Sequence, residues 1–258
     1  MNRTARDLPC GAGGGKATLG AFLARNPFPY PHTLGFFYRE KMRAVHRLAP
    51  DVAVRHALDI GGGRSGLAAL LYPRARITTL DHEAGHAAAA PNRWPGVDFV
   101  CGDAACLPFA DAAFDAVTMF DLIEHVPAHE RVAAEALRVL RPGGFLLVST
   151  PCENWRFPHH RFMRLIARAE AELLTEWGHV RRGYSLDALA ALFGRAPDAT
   201  GGFITPMTAL GHDIAFSRLG RRARIALWLA ASPLTLAGYA LGRRSPTGIE
   251  VVARWSVP

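Results

Sequence analysis

The stretch Leu58-Asp59-Ile60-Gly61-Gly62-Gly63-Arg64-Ser65-Gly66 (LDIGGGRSG) decides how the rest of the chain is read. Apolar residues run into an acid and then into consecutive glycines, so a strand ends here in a sharp turn. Gly61, Gly63 and Gly66 fit the G-x-G-x-x-G of a dinucleotide turn. Asp59 argues for another ligand, because a carboxylate two residues before the turn repels a pyrophosphate and attracts a cation. The glycines by themselves leave both cofactor types open.

Working outward, short apolar runs alternate with helical ones. Strands are expected at 54–60, 76–80, 97–101, 116–120 and 145–149. A helix starts at Ser65–Leu71, and another covers 128–140, closed by Arg141-Pro142-Gly143-Gly144. A helix over 34–48 precedes them and stops at Pro50, while two late strands fall near 199–205 and 249–255. This order predicts an α/β fold: a Rossmann-like, doubly wound, mostly parallel seven-stranded sheet. Residues 1–20 read as a flexible leader and 21–258 as a single domain. Within it lie a core at 54–151, an inserted lid at 152–184 with a helical stretch near 162–176, and a C-terminal part, 185–258. That part holds a helix at Leu186–Phe193 begun by Ser185 and a helical insertion between the late strands.

Two further acids stand at strand ends. Asp81 closes the second strand about 20 residues past the first glycine, where a carboxylate accepts ribose hydroxyls. Asp103 follows the third strand, where it can accept from an adenine amino group while the Ala104 amide donates to the ring.

With LDIGGGRSG, TLDHE, GDAACLPFAD, FDAVTMFDLIEHV and LRVLRPGGFLLVSTP in this order, the chain resembles class I S-adenosylmethionine-dependent methyltransferases, in particular the small-molecule type 11 group. The resemblance is strong over 54–151 and moderate over 176–193. It implies S-adenosyl-L-methionine as cofactor: Asp59, Gly61 and Gly63 at the methionine end, Asp81 at the ribose with His82 beside it, Asp103 and Ala104 at the adenine, and Asp121 near the amino acid moiety. One departure is Ser65, which stands where the family has its third glycine.

Glu124 and His125, in Asp121-Leu122-Ile123-Glu124-His125, are the candidate catalytic residues, His125 as a base for an acceptor that must lose a proton. The run also resembles the E-x-x-E-H segment with which some quinone-precursor methyltransferases hold a divalent cation. A plainer role, ordering the loop by hydrogen bonds, stays open. Trp155, His159, His160, His179 and Tyr184, in the inserted segment, are candidates for the acceptor site, and the aromatic run Phe36-Phe37-Tyr38 reads as a cover for either the cofactor cleft or the core. The expected reaction is methyl transfer to a small molecule, most readily at oxygen. The alternatives are an NAD-dependent oxidoreductase and a non-catalytic cofactor-binding or membrane-associated module.

Composition narrows the partners. The formal charge is +8, but only Lys16 and Lys41 are lysines. The arginine pairs at 181–182, 221–222 and 243–244 are short and lack interleaved aromatics, which argues against nucleic-acid binding. Cys10, Cys101, Cys106 and Cys152 form no C-x-x-C pair, and the first residues show no apolar signal-peptide run, so a cytoplasmic setting is expected. Residues 225–242 (IALWLAASPLTLAGYALG) carry no charge. Pro233 in their middle predicts two short helices packed on the domain, with peripheral membrane contact as the alternative.

Overall fold

The computed structural model describes residues 14–242, 245 and 247–258. Its centre is a seven-stranded sheet of β1 (His56–Ile60), β2 (Arg76–Asp81), β3 (Val97–Cys101), β4 (Phe114–Phe120), β5 (Leu140–Pro151), β6 (Ala199–Phe203) and β7 (Glu250–Ser256). The order is β3-β2-β1-β4-β5-β7-β6, with β7 antiparallel to both neighbours and the other pairs parallel. This is the expected fold, and alternation along the strands explains it. In β5, Phe145 and Leu147 enter one core while Leu146 and Val148 enter the other, as a two-residue period requires.

Helices α1 (Leu19–Leu23), α2 (Phe36–Leu48) and α3 (Leu67–Leu71) help fill the first core; α4 (His129–Arg138) and α6 (Leu186–Leu192) cover the second. A kinked turn, Pro31–Gly35, with Thr33 in a non-helical conformation, leads into α2. Several boundaries differ from expectation. The Arg141-Pro142-Gly143-Gly144 stop is absorbed into β5 as an irregularity, where the pairing with β4 shifts between Phe114 and Ala116. The inserted segment folds as a 3-10 turn, Arg161–Leu165, and a separate helix α5 (Glu170–Trp177), in place of one helical stretch. Of the expected leader, residues 1–13, with Cys10, lie outside the described residues. Gly14 pairs with Val54, and Lys16 Nζ donates to the carbonyls of His46 and Ala49 at 2.8 and 2.6 Å.

The largest correction concerns 225–242. Helix α7 (Pro206–Ala215) is followed by α8 (Arg221–Leu241), one continuous helix with Pro233 inside it. A proline removes the N–H that would reach the carbonyl four residues back. Here that carbonyl belongs to Leu229, and the Ser232 hydroxyl donates to it at 2.9 Å. The residue before the proline thus repairs the ladder, and the helix runs on. Arg243 and Arg244 lie outside the described residues.

Candidate active site

Strand order reverses between β1 and β4, so the chain leaves their carboxyl ends in opposite directions and opens a cleft there. Two adjoining cavities occupy it. The larger, about 550 Å³, is lined by Gly61, Leu80, Asp81, His82, Asp103 and Ala104 on the β1–β3 side and by Asp121, His125 and Trp177 on the other. The smaller, about 330 Å³, has an aromatic and apolar wall of Leu34, Phe37, Trp155, Trp177 and Phe216. Asp121, Glu124, His125, His179, His212 and Glu250 complete it. Asp121, His125 and Trp177 belong to both.

The glycine turn fits the larger cavity through its backbone. Gly61 has φ +68°, and a Cβ there would come within 2.6 Å of Leu122 Cδ1, so only glycine lets the turn pass the loop after β4. The Gly63 N–H donates to Asp81 Oδ2 at 3.1 Å, and the Glu83 N–H donates to Asp81 Oδ1 at 3.0 Å. Asp81 is thereby fixed at the cavity edge with lone pairs to spare for hydroxyl donors. Asp103 Oδ1 accepts from the Ala105 N–H at 2.8 Å, which sets the Asp103–Ala104 corner. A cavity of this size, rimmed by two carboxylates and an open backbone corner, suits a nucleoside with a short polar tail.

Asp59 is placed differently from expectation. It is absent from the cavity lining and buried beneath the turn, where it accepts from Thr118 Oγ1 at 2.5 Å. A Cβ on Gly62 would come within 2.5 Å of its Oδ2. Burial lifts its pKa to about 6. Asp59 therefore supports the turn from below, and Gly63 likewise acts through Asp81. Ser65 donates to the Gly62 carbonyl at 3.1 Å and accepts from the Leu67 N–H at 3.3 Å. The left-handed residue at the entry of α3 is Gly66, with φ +61° and Pro91 and Trp94 packed where a side chain would go.

On the far side, Asp121 is a non-glycine residue at φ +52°. Its Oδ1 accepts from Ser149 Oγ at 2.7 Å, and its Oδ2 pairs with Lys41 Nζ from α2. Burial works to lower the Lys41 pKa; Asp121 and Tyr38 outweigh it and hold the ammonium above its usual range. Glu124 is fully buried, with Oε2 accepting from Thr150 Oγ1 at 3.1 Å and Oε1 without a partner. Burial, then the Asp121 charge, push its pKa to about 8. Glu250 is raised as well, by burial and by Asp121 and Glu124. At neutral pH the Lys41–Asp121 pair thus stands behind a cavity that carries a protonated Glu124, with Glu250 shifted in the same direction.

His125 and His179 meet edge to face, ring centroids 4.5 Å apart. Burial lowers both pKa values, that of His179 to about 4, so both imidazoles are neutral at pH 7. His179 Nδ1 is buried without a partner. Ligand atoms of Glu124, His125 and His179 lie within 4.8 Å of one another, a donor set that could take a divalent ion.

The structure brings together Gly61, Asp81, His82, Asp103, Ala104 and Asp121 at one cavity, and Glu124, His125, Trp155 and His179 at the other. It separates His159, His160 and Tyr184 from them. His159 Nε2 faces His212 Nδ1 at 3.0 Å, while the His159 and His160 N–H groups and the His160 ring all bond Asp213, fastening the insert to α7. Tyr184 donates to the Ile123 carbonyl at 3.0 Å, behind the loop. Of the aromatic run, Phe37 lines the smaller cavity, whereas Phe36 packs against Trp228. Sequence reasoning missed Lys41, Trp177, His212, Phe216 and Glu250, which come from elements remote from the glycine motif. Lys41 had one signal: it is one of two lysines in an arginine-rich chain.

Residues 58–148 match the family model of a methyltransferase domain. The chain is 34% identical over 168 residues to the ubiquinone/menaquinone biosynthesis C-methyltransferase UbiE of Desulfotalea psychrophila, covering 58% of this chain and 68% of that one. It is 38% identical over 117 residues to a probable S-adenosylmethionine-dependent methyltransferase of Mycolicibacterium smegmatis, covering 45% of this chain; it spans only 46% of that relative's length. Among solved structures, an S-adenosylmethionine-dependent methyltransferase from Mesorhizobium loti superposes with a TM-score of 0.52 at 16% identity, over 79% of this chain and 90% of that one. That likeness concerns the fold alone.

Proposed function

Since the chain belongs to the class I S-adenosylmethionine-dependent methyltransferases, we propose that it methylates a neutral, largely apolar small molecule at an oxygen that must lose a proton. When bound, S-adenosylmethionine supplies the electrophilic methyl group. The residues fitted to hold it are Asp81 for the ribose, Asp103 and Ala104 for the adenine, and Gly61 and Asp121 toward the methionine end, with Asp59 supporting the turn.

The observation that carries the acceptor reading is the aromatic chamber adjoining the larger cavity at His125. Its walls select by apolar contact and exclude water, and alignment in a dry pocket is the main requirement of a displacement at carbon. A neutral His125 imidazole can take the acceptor's proton. A cationic amine is the poorer fit. Three carboxyls surround the chamber, but Glu124 is held protonated, burial shifts Glu250 the same way and Lys41 neutralises Asp121, so little net negative charge remains to attract an ammonium. The name of the Desulfotalea relative, a C-methyltransferase of ubiquinone/menaquinone biosynthesis, agrees with a quinone-related acceptor and favours carbon as a second reading of the methylated atom. We place the reaction in the reducing cytoplasm, consistent with free Cys101, Cys106 and Cys152.

Turnover of labelled S-adenosylmethionine against panels of hydroxylated aromatics, long-chain alcohols and amines, each with and without divalent metal, tests this reading. Transfer to hydroxylated apolar compounds supports it. Transfer confined to amines overturns it, and turnover only with added metal reassigns Glu124, His125 and His179 as ligands.

A further inference from the structure

Helix α8 is apolar on both sides. Trp228, Ala231, Thr235 and Gly238 are buried, with Trp228 against Gly211 and Gly238 against Met207 of α7. The opposite side exposes Leu229, Leu234, Leu236 and Leu241 by 64, 49, 53 and 78%. Only apolar side chains share that face: Ala226, Ala230, Pro233, Ala237 and Ala240 are exposed between the leucines. An amphipathic helix of a water-facing domain would show charge there.

The charge gathers at its end. Arg221 and Arg222 are exposed and open the helix, and no acid occurs in the sequence from 214 to 249. The 3-10 turn Arg161–Leu165 joins the N-terminal half of α8 through Met163, in one cluster with Trp228 and Ala231. It exposes Phe162 by 66% and Leu165 by 96% beside Arg161 and Arg164. Among the described residues, none of these four arginines has a carboxylate partner.

We propose that the outer face of α8, with the 161–165 turn, seats on an anionic bilayer surface and lies in the interface. Leucines enter the acyl boundary while unpaired guanidinium groups meet lipid phosphates. Spanning is disfavoured because α8 is fastened to the domain along its length: the Tyr239 carbonyl accepts from Arg43, whose guanidinium stands 3.6 Å above the Tyr239 ring. A second copy of the chain is a poorer occupant, since α8 and its flanks from 214 to 249 hold no acid to meet the partner's arginines at either end. The surface has a use for the site. Helix α7 lies between α8 and the smaller cavity, giving that cavity His212, with Phe216 just beyond its end, so the acceptor chamber stands one helix away from the lipid.

Flotation of the full chain with vesicles of phosphatidylcholine, with or without phosphatidylglycerol, tests the proposal. It contains no methyl acceptor, so it stands or falls separately from the acceptor reading. Wild-type protein should float with the anionic vesicles and weakly or not at all with the neutral ones. Arg221→Gln with Arg222→Gln should lower the partition by roughly twenty-five-fold, at about five-fold per basic residue. Leu229→Glu with Leu236→Glu should abolish flotation while circular dichroism and S-adenosylmethionine calorimetry stay as in the parent; if that variant does not fold, the arginine variant decides. Wild-type protein that stays down with anionic vesicles overturns the proposal, as does an arginine variant that floats like the parent. A dimer detected by light scattering, without vesicle binding, assigns the face to a second copy instead.

Discussion

Lys41 is sealed against Asp121: the lysine side chain is 4% exposed, while the carboxylate keeps 29% and reaches both cavities. Removing one partner of such a pair strands the other charge. Lys41→Met should lower stability by about 2–4 kcal/mol, toward the low side of the range for broken buried pairs because Asp121 retains some water. Urea denaturation measures it, and adding Asp121→Asn should recover part of the loss.

The ribose assignment rests on Asp81, whose two oxygens already hold the Gly63 and Glu83 amides. Asp81→Ala should weaken S-adenosylmethionine binding by roughly ten- to a hundred-fold, about 1–3 kcal/mol of lost hydrogen bonding. Isothermal calorimetry reads this directly, and an unchanged affinity removes the assignment.

His125 separates base catalysis from loop ordering. His125→Gln should cut kcat by about 10²- to 10⁴-fold with S-adenosylmethionine affinity preserved. Because burial lowers its pKa below 6.5, the wild-type rate should fall along an acid limb that lies below that value and be flat through neutral pH, and the variant should lack that limb. A purely structural role would shift melting temperature and leave the pH profile in place.

Glu124 makes stability depend on pH with a definite sign. Its carboxyl has a pKa of about 8 when folded against an ordinary 4.5, so the folded chain holds a proton that the unfolded chain releases between those values. Stability from this group is complete below pH 4.5 and is lost as pH rises through 8. Glu124→Gln should flatten that decline, gaining on wild type by on the order of 2–4 kcal/mol between pH 5 and pH 8 in denaturant melts.

The Ser65 irregularity is also testable. Gly66 already supplies the left-handed residue, so Ser65→Gly should change S-adenosylmethionine affinity little and stability by about 1 kcal/mol through the lost Gly62 and Leu67 contacts. Gly66→Ala should cost about 1–3 kcal/mol, since its Cβ would come within 2.5 Å of Pro91. Thermal melts and calorimetry on both variants check the pair.

These contrasts mark what the sequence could express. Strand order and the acids at strand ends are local patterns: alternation builds β1 and β5, and a strand end delivers Asp81 to the cleft. Burial direction is not local. Asp59 looked like a ligand by position, yet Thr118 on the neighbouring strand drew it beneath the turn. His159 and His160 looked like pocket residues until Asp213 on α7 claimed them. The acceptor chamber was hardest to foresee, because Phe37, Trp177, Phe216 and Glu250 come from four separate segments that only tertiary packing unites. Pro233 misled for the opposite reason, a strong local rule overridden by the hydroxyl one residue before it.

The wall formed by Asp121, His125 and Trp177 has a thermodynamic consequence. Because the same side chains face both chambers, a ligand that fixes their rotamers on one side alters what the other side can bind. Linkage makes that influence mutual and equal, each ligand changing the other's dissociation constant by one common factor.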